Sequence, residues 1–221
     1  MIAHNYKYLY DGNLNEWSSL GALNIDMKGS SQATGDEVDK ESIKDHFEVK
    51  QAMMTHNDDG LCFAFEVFDN LIDVKPQAGF WTGDCVELII TTDLSMPGTD
   101  TQVYKDEAGA LQIAFAPTWS ASNYCTIASA RSNSNYLGKE AQIKVGMSST
   151  GTGYIVEFCL PYSVFPEFKS SVDAGERIGA AIVVADAERK DIGMNRVQIG
   201  NVPHFVETYK TKSQLMPRYL F

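Results

Sequence analysis

The chain has 221 residues and a net charge of −11, with 29 Asp and Glu against 18 Lys and Arg. That field repels polyanions and no basic cluster offsets it, which excludes a nucleic-acid partner. Hydrophobic residues make up 44% and charged residues 21%, enough to bury a core, while no apolar run approaches the roughly 20 residues that cross a bilayer.

The N-terminal stretch "MIAHNYKYLYDGN" lacks a basic region followed by a long apolar one, so it does not read as a signal peptide. Either the protein is intracellular or the chain is a mature or excised domain. Residues 28–41, "KGSSQATGDEVDKE", are polar without periodicity and read as a loop. A strand follows over 48–55, then the turn signal "HNDDG", then the aromatic strand "LCFAFEVF" over 61–68. Further strands are predicted over 84–92, 111–116, 123–128, 141–147, 153–160 and 178–185. Turns or loops fall at 94–101 and 129–139, and "PYSVFPEF" after Pro161 offers one short turn of helix. No repeat or long linker divides the chain. Eight or more strands with few helices predict an all-β, antiparallel β-sandwich of jelly-roll type, a single domain over 1–221. Cys62, Cys85, Cys125 and Cys159 have no CxxC spacing and read as small buried hydrophobes, with a disulfide left open.

Alternation along a strand sorts side chains onto two faces. In "GFWTGDCVELIITTD", residues 79–93, Val86, Leu88 and Ile90 point one way and Cys85, Glu87 and Ile89 the other. In "GYIVEFCL", Tyr154, Val156, Phe158 and Leu160 share one face, and Ile155, Glu157 and Cys159 the other. Both glutamates are thus expected on outer faces, near one another on a concave sheet. A charge on such a row needs water, a partner or a ligand. A solvated or salt-bridged outer face is the alternative for each.

Five segments, taken in order, resemble the family-nine carbohydrate-binding modules and their relatives in the DOMON-like superfamily. "YDGNLNEW" (10–17) looks like the family's opening element, and "DDGLCFAFEVFDN" (58–70) like its acidic turn and aromatic strand. "WTGDCVELIITTD" (81–93), "GYIVEFCLPYSVF" (153–165) and "GERIGAAIVVADAE" (175–188) resemble its later landmarks. The resemblance implies a β-sandwich that binds oligo- or polysaccharide without cleaving it, by aromatic rings that grip a sugar and polar groups that bond its hydroxyls. It also implies structural calcium, a place outside the cytoplasm (extracellular or periplasmic), and an attached or associated glycoside-processing enzyme. Trp81 would be one ring of the clamp, and Glu87, six residues on, would accept from hydroxyls. An indole covers the C–H face of a pyranose and a carboxylate satisfies its rim, so the chemistry agrees. For Trp81 a core or rim position is the alternative. Gln112 and Gln142 would complete the rim, or be plain outer-face residues.

The C-terminal "NRVQIGNVPHFVETYKTKSQ" departs from the family, which has an Asn followed closely by a second Trp. Asn201 fits the Asn. The second ring is then His204, Phe205, Tyr209 or Trp119, or it is missing; Trp17 reads as structural. For calcium, Asp58, Asp59, Asp69, Asn70 and Asp73 could converge from neighbouring loops, although no EF-hand spacing is present and Asp-rich turns are common.

Three rival functions stand beside this one. Some DOMON-like sandwiches hold b-type haem, and "AMMTH" brings Met53, Met54 and His56 close, though strand Met is commonly core filler and no CxxCH is present. Sugar hydrolysis would need two carboxylates about 5–9.5 Å apart, with Glu87 and Glu157 the only candidates. A structural or protein-binding sandwich that has lost sugar binding is the third.

Overall fold

The computed structural model describes residues 10–27, 29–32, 38–75, 82–94, 109–118, 125–129, 132–187, 196–201 and 218–221. Twelve strands are defined among them: β1 (Leu23–Asn24), β2 (Gly29–Gln32), β3 (Phe47–His56), β4 (Gly60–Asp69), β5 (Cys85–Thr91), β6 (Leu111–Phe115), β7 (Cys125–Ile127), β8 (Lys144–Ser149), β9 (Gly153–Pro161), β10 (Arg177–Asp186), β11 (Val197–Gly200) and β12 (Arg218–Leu220). Two short helices, α1 (Lys40–Ile43) and α2 (Pro166–Asp173), interrupt them.

The strands form two antiparallel sheets. One has the order β1-β3-β4-β9-β8; the other has the order β2-β11-β10-β5-β6-β7, with β12 also pairing β10. The protein is therefore an all-β sandwich of the expected class. Three pairs of sheet neighbours are remote in sequence: β4 against β9, β5 against β10 and β2 against β11. Long connections of this kind close a sandwich rather than a meander.

The core lies between the sheets and is built from the predicted alternation. Phe63, Phe65 and Val67 of β4 and Tyr154, Val156, Phe158 and Leu160 of β9 face Val86, Leu88 and Ile90 of β5 and Ile178, Ala180, Ile182 and Val184 of β10. Phe158 stacks on Phe115 at 3.8 Å and on Phe63 at 5.0 Å, which ties the centres of the two sheets together. A buried phenyl of this kind is worth about 1.5–3 kcal/mol in removal from water.

Each of the eight predicted strands is present. The expected loop over 28–41 instead contains β2, which pairs with β11 through Gln32↔Val197 to Gly29↔Gly200. The polar "GSSQ" has no apolar alternation because it is an edge strand whose pairing is made by backbone alone. The strand expected from 141 begins at Lys144, since Glu140–Gln142 form a 3-10 turn. The short turn foreseen after Pro161 is a two-turn helix, α2, with Pro166 in its first turn, where a missing N–H costs nothing.

Candidate functional site

Glu87 sits on the outer face of the larger sheet, as the alternation requires. It pairs across to Val183 on one side and Ala114 on the other. Gln112, opposite Ile89, is its diagonal neighbour on β6, and Gln112 Nε2 donates to Glu87 Oε1. The expected open, wet face is absent at this point: Glu87 is 5% exposed and Gln112 6%. The carboxylate is a preorganised, buried acceptor rather than a solvated surface charge. Around the pair the outer face carries Ala114, Ala181 and Ala185 together with the larger Val183 and Ile89, all buried. Gln198 of β11 lies opposite Ala185 on the same face and is buried. Arg196, just before β11, donates from Nη2 to Cys85 Sγ at 3.7 Å, two residues before Glu87. Burial pushes the Cys85 thiol up to about 12, with Arg196 opposing and Glu87 adding to the shift. An acceptor, two amides and a guanidinium thus share one face with apolar side chains. Gln198 and Arg196 were not singled out from sequence, although "NRVQIG" carries the signal: Val197 and Ile199 are core, so the residues between and before them must face outward.

Trp81 and His204 lie outside the described residues, as do Trp119, Phe205 and Tyr209. Gln142 is not on a strand. It is exposed in the 3-10 turn that precedes β8, whose neighbour Glu140 accepts from Ile127 N at 3.2 Å. The Asn201 amide is committed to the fold. Its Oδ1 accepts from Ile182 N at 2.8 Å, and its Nδ2 donates to Ala180 O at 3.0 Å and Tyr219 Oη at 2.9 Å. It ties β10, the end of β11 and β12 into one edge.

A second constellation stands at one end of the interior. Asp69 closes the core-facing row of β4, Asp84 precedes that of β5, and Asp186 ends that of β10. All three are buried, and their carboxylate oxygens lie within 4.8 Å of one another. Asp84 Oδ1 accepts from Ala187 N at 2.7 Å and its Oδ2 from Asp73 N, while Asp69 Oδ1 accepts from Leu71 N at 2.9 Å. Burial, with the charges of Asp69 and Asp186, pushes Asp84 up to about 8 in spite of those donors. Three ionised carboxylates this close repel by about 3 kcal/mol per pair at an effective dielectric of 20, which is comparable in total with the stability of a whole domain. A positive charge or a proton must relieve them. Of the four aspartates predicted as ligands, only Asp69 joins this group. Asp58 and Asp59 are exposed, with Asp59 paired to Lys144 at 3.1 Å, and the Asp73 carboxylate pairs with Lys75 at 2.5 Å. Asp84 and Asp186 were overlooked because each stands at a strand end, in "GDCVEL" and "VVADAE", where an acid reads as a turn residue.

Glu157 lies on the outer face of the other sheet, so the expected proximity to Glu87 is wrong: the core separates them. The physical reason is that β5 and β9 belong to different sheets, packed about 10 Å apart face to face, so outward rows diverge. Glu157 is nevertheless 1% exposed, because the segment from Tyr10 to Leu20 covers it. Its Oε2 accepts from Gly12 N at 2.8 Å and Asn13 N at 3.2 Å, and its Oε1 from Trp17 Nε1 at 2.5 Å. Desolvation nonetheless pushes Glu157 up to about 7, against the three donors. Trp17 is structural as expected, packed on Met53, Cys62, Ala64 and Cys159. The pair Met53 and Met54 splits between this small cluster and the main core, and the His56 ring lies against Phe221 at 6.0 Å. The adjacent methionines therefore point to opposite sides of the sheet.

Among the described residues no helix is long and apolar enough to cross a membrane. No curated protein matches the chain significantly in sequence. Solved structures that share the fold include two carbohydrate-binding modules. One is "a carbohydrate binding module family 9 (CBM9) from Caldicellulosiruptor kristjanssonii in complex with cellotriose", 13% identical, covering 97% of this chain and 89% of that one with a TM-score of 0.65. The other is the module from the same organism in complex with glucose, 13% identical, covering 97% and 91% with a TM-score of 0.64. The sequence profile described as "Carbohydrate family 9 binding domain-like" matches residues 17–207.

Proposed function

The chain belongs to the carbohydrate family 9 binding domain-like family, a family of non-catalytic binding domains, and on that premise we propose that it binds an oligo- or polysaccharide on the outer face of its larger sheet. The observation that carries this reading is the buried Glu87–Gln112 pair, a polar couple set into an otherwise apolar outer row. A buried charge is expensive unless something repays it. One partner is Gln112; saccharide hydroxyls would supply charge-assisted bonds worth roughly 1.5–3 kcal/mol each. Gln198 and Arg196 extend the polar rim across β10. Trp81, six residues before Glu87, is the stacking platform in this reading, and Asn201 serves the edge of the site rather than the ligand. Both solved relatives are complexes with glucose or a glucose oligomer, so glucose and cellotriose are the first ligands to try. Isothermal titration with each decides the matter: binding that Trp81→Ala abolishes without a change in circular dichroism supports the site, and unaltered binding contradicts it.

We further propose that Asp69, Asp84 and Asp186 hold a hard divalent cation of the calcium class. Three carboxylates with hard oxygen donors suit calcium, and the mutual repulsion described above is what such an ion would relieve. Bound there, it would supply charge neutralisation and a tie between the two sheets. A place outside the cytoplasm, where calcium is plentiful, and an associated polysaccharide-processing enzyme belong to the same proposal. Glu87 and Glu157, on opposite outer faces, could not flank one glycosidic bond.

A further inference from the structure

We propose that Cys62 and Cys159 are a dithiol–disulfide site, closing a cross-strand bridge between β4 and β9 under oxidising conditions. The two residues are direct partners in the ladder. Which kind of partner they are follows from the hydrogen bonds at the ladder's two ends. Tyr162 N donates to Asp59 O at 2.8 Å, and Asp69 N to Thr152 O at 3.1 Å, both in the same register as the strands. Odd-numbered positions of β4 are therefore hydrogen-bonded pairs and even-numbered ones are not. Pro161, which has no N–H, stands opposite Gly60 and agrees. Cys62 and Cys159 thus form a non-hydrogen-bonded pair, the type in which Cα atoms come to about 4.5 Å and side chains approach most closely. That separation falls within the range a disulfide spans.

The surroundings fit the same reading. Both sulfurs lie on the outer row of the smaller sheet, both residues are fully buried, and Trp17, Leu14 and Leu20 pack over them. Cys62 Sγ donates to Gly60 O at 3.8 Å, and Tyr10 Oη lies 3.9 Å from Cys62 Sγ. Gly60 leaves the space that Cys159 Sγ fills, since a Cβ there would sit 2.8 Å from that sulfur. The other two cysteines have no such partner position: Cys85 pairs with Ala185 and Cys125 with Phe115.

The chemistry is thiol–disulfide exchange with a low-molecular-weight disulfide. One protein thiol, as thiolate, attacks a sulfur of the oxidant; a mixed disulfide forms, and the departing thiolate takes up a proton. The second protein thiol then attacks the mixed disulfide and releases a second small thiol. The protein dithiol loses two hydrogens and the oxidant becomes two thiols. The covering segment shuts both sulfurs in, so exchange occurs before that segment docks during folding, and the finished bridge resists reductants in the native state.

The test is to refold the fully reduced full chain with glutathione disulfide and glutathione, alkylate under denaturing conditions, and map peptides by mass. The expected result is a single linked peptide joining Cys62 to Cys159, alkylation only at Cys85 and Cys125, and a melting temperature about 5–15 °C above that of the reduced protein. Cys62→Ala, folded under the same conditions, should yield no intramolecular bridge and three alkylated thiols. Four alkylated cysteines in the refolded wild type, or a bridge that involves Cys85 or Cys125, would overturn the proposal.

Discussion

Glu87 and Glu157 show how one residue type in one pattern acquires two roles. Each interrupts an apolar row on the outward side of a strand. Glu157 is consumed by the fold, with two main-chain amides and an indole donating to it. Glu87 accepts from the Gln112 side-chain amide on the other sheet's outer face, where we propose that saccharide binds. Glu87→Gln keeps the shape and an acceptor for Gln112, so its unfolding midpoint should stay within about 0.5 kcal/mol of wild type while saccharide affinity falls more than tenfold. For Glu157 the linkage runs through pH. Its carboxyl ordinarily titrates near 4.5 and in the folded protein near 7. Between those values the folded state holds a proton that the unfolded state has released, so stability falls as pH rises from about 4.5 to 7. Urea titrations at pH 5 and pH 8 should show wild type losing more stability across that interval than Glu157→Gln. An equal loss in both would assign the effect elsewhere. Sequence alternation told which way both acids point, but not what covers them, because cover comes from segments distant in the chain.

The covering segment, residues 10–20, is the element on which the smaller sheet's outer face depends. Gly12 adopts φ +76°, and a Cβ there would meet Ser148 N at 2.6 Å. Its neighbour in the contact is Gly146 of β8, where a Cβ would lie 2.2 Å from the Tyr10 carbonyl carbon. The backbone crosses the sheet where two glycines permit it. Gly12→Ala should therefore destabilise by about 1–3 kcal/mol in urea unfolding, with the loss falling on Trp17 fluorescence. At this scale the sequence was most legible. Strands with strict alternation, such as β5 and β9, were placed to within about two residues, since their periodicity reports a buried face. β2 and β11 were missed because "GSSQ" and "VQIG" are four residues each, too short for periodicity to rise above a loop. The opening element "DGNLNEW" was recognisable as a motif, yet its task of bonding Glu157 needs the fold to bring residues about 140 apart in sequence together.

The whole molecule is two sheets joined by an apolar middle and, at one end, by Asp69, Asp84 and Asp186. The first comes from the smaller sheet and the other two stand at strand ends of the larger. A cation shared among them would act as a clasp between the layers, and its removal should loosen that end before the core. Adding EDTA should lower the melting temperature by several degrees, calcium should restore it, and Asp186→Asn should blunt the response. The sandwich itself was readable from strand count and turn spacing. The aspartate cluster was not, because its members converge only when both sheets are assembled. The proposed saccharide face was half legible: Glu87 and Gln112 stand out in their strands, whereas Gln198 and Arg196 join them only through the order β11-β10-β5-β6.

We propose above all that the larger sheet's outer face binds saccharide through Glu87. Isothermal titration of wild type and Glu87→Gln with cellotriose, in calcium and in parallel with their melting curves, tests it most directly. Wild type should bind measurably, and the variant should lose at least tenfold in affinity at an unchanged melting temperature. Equal binding by the two proteins would contradict it.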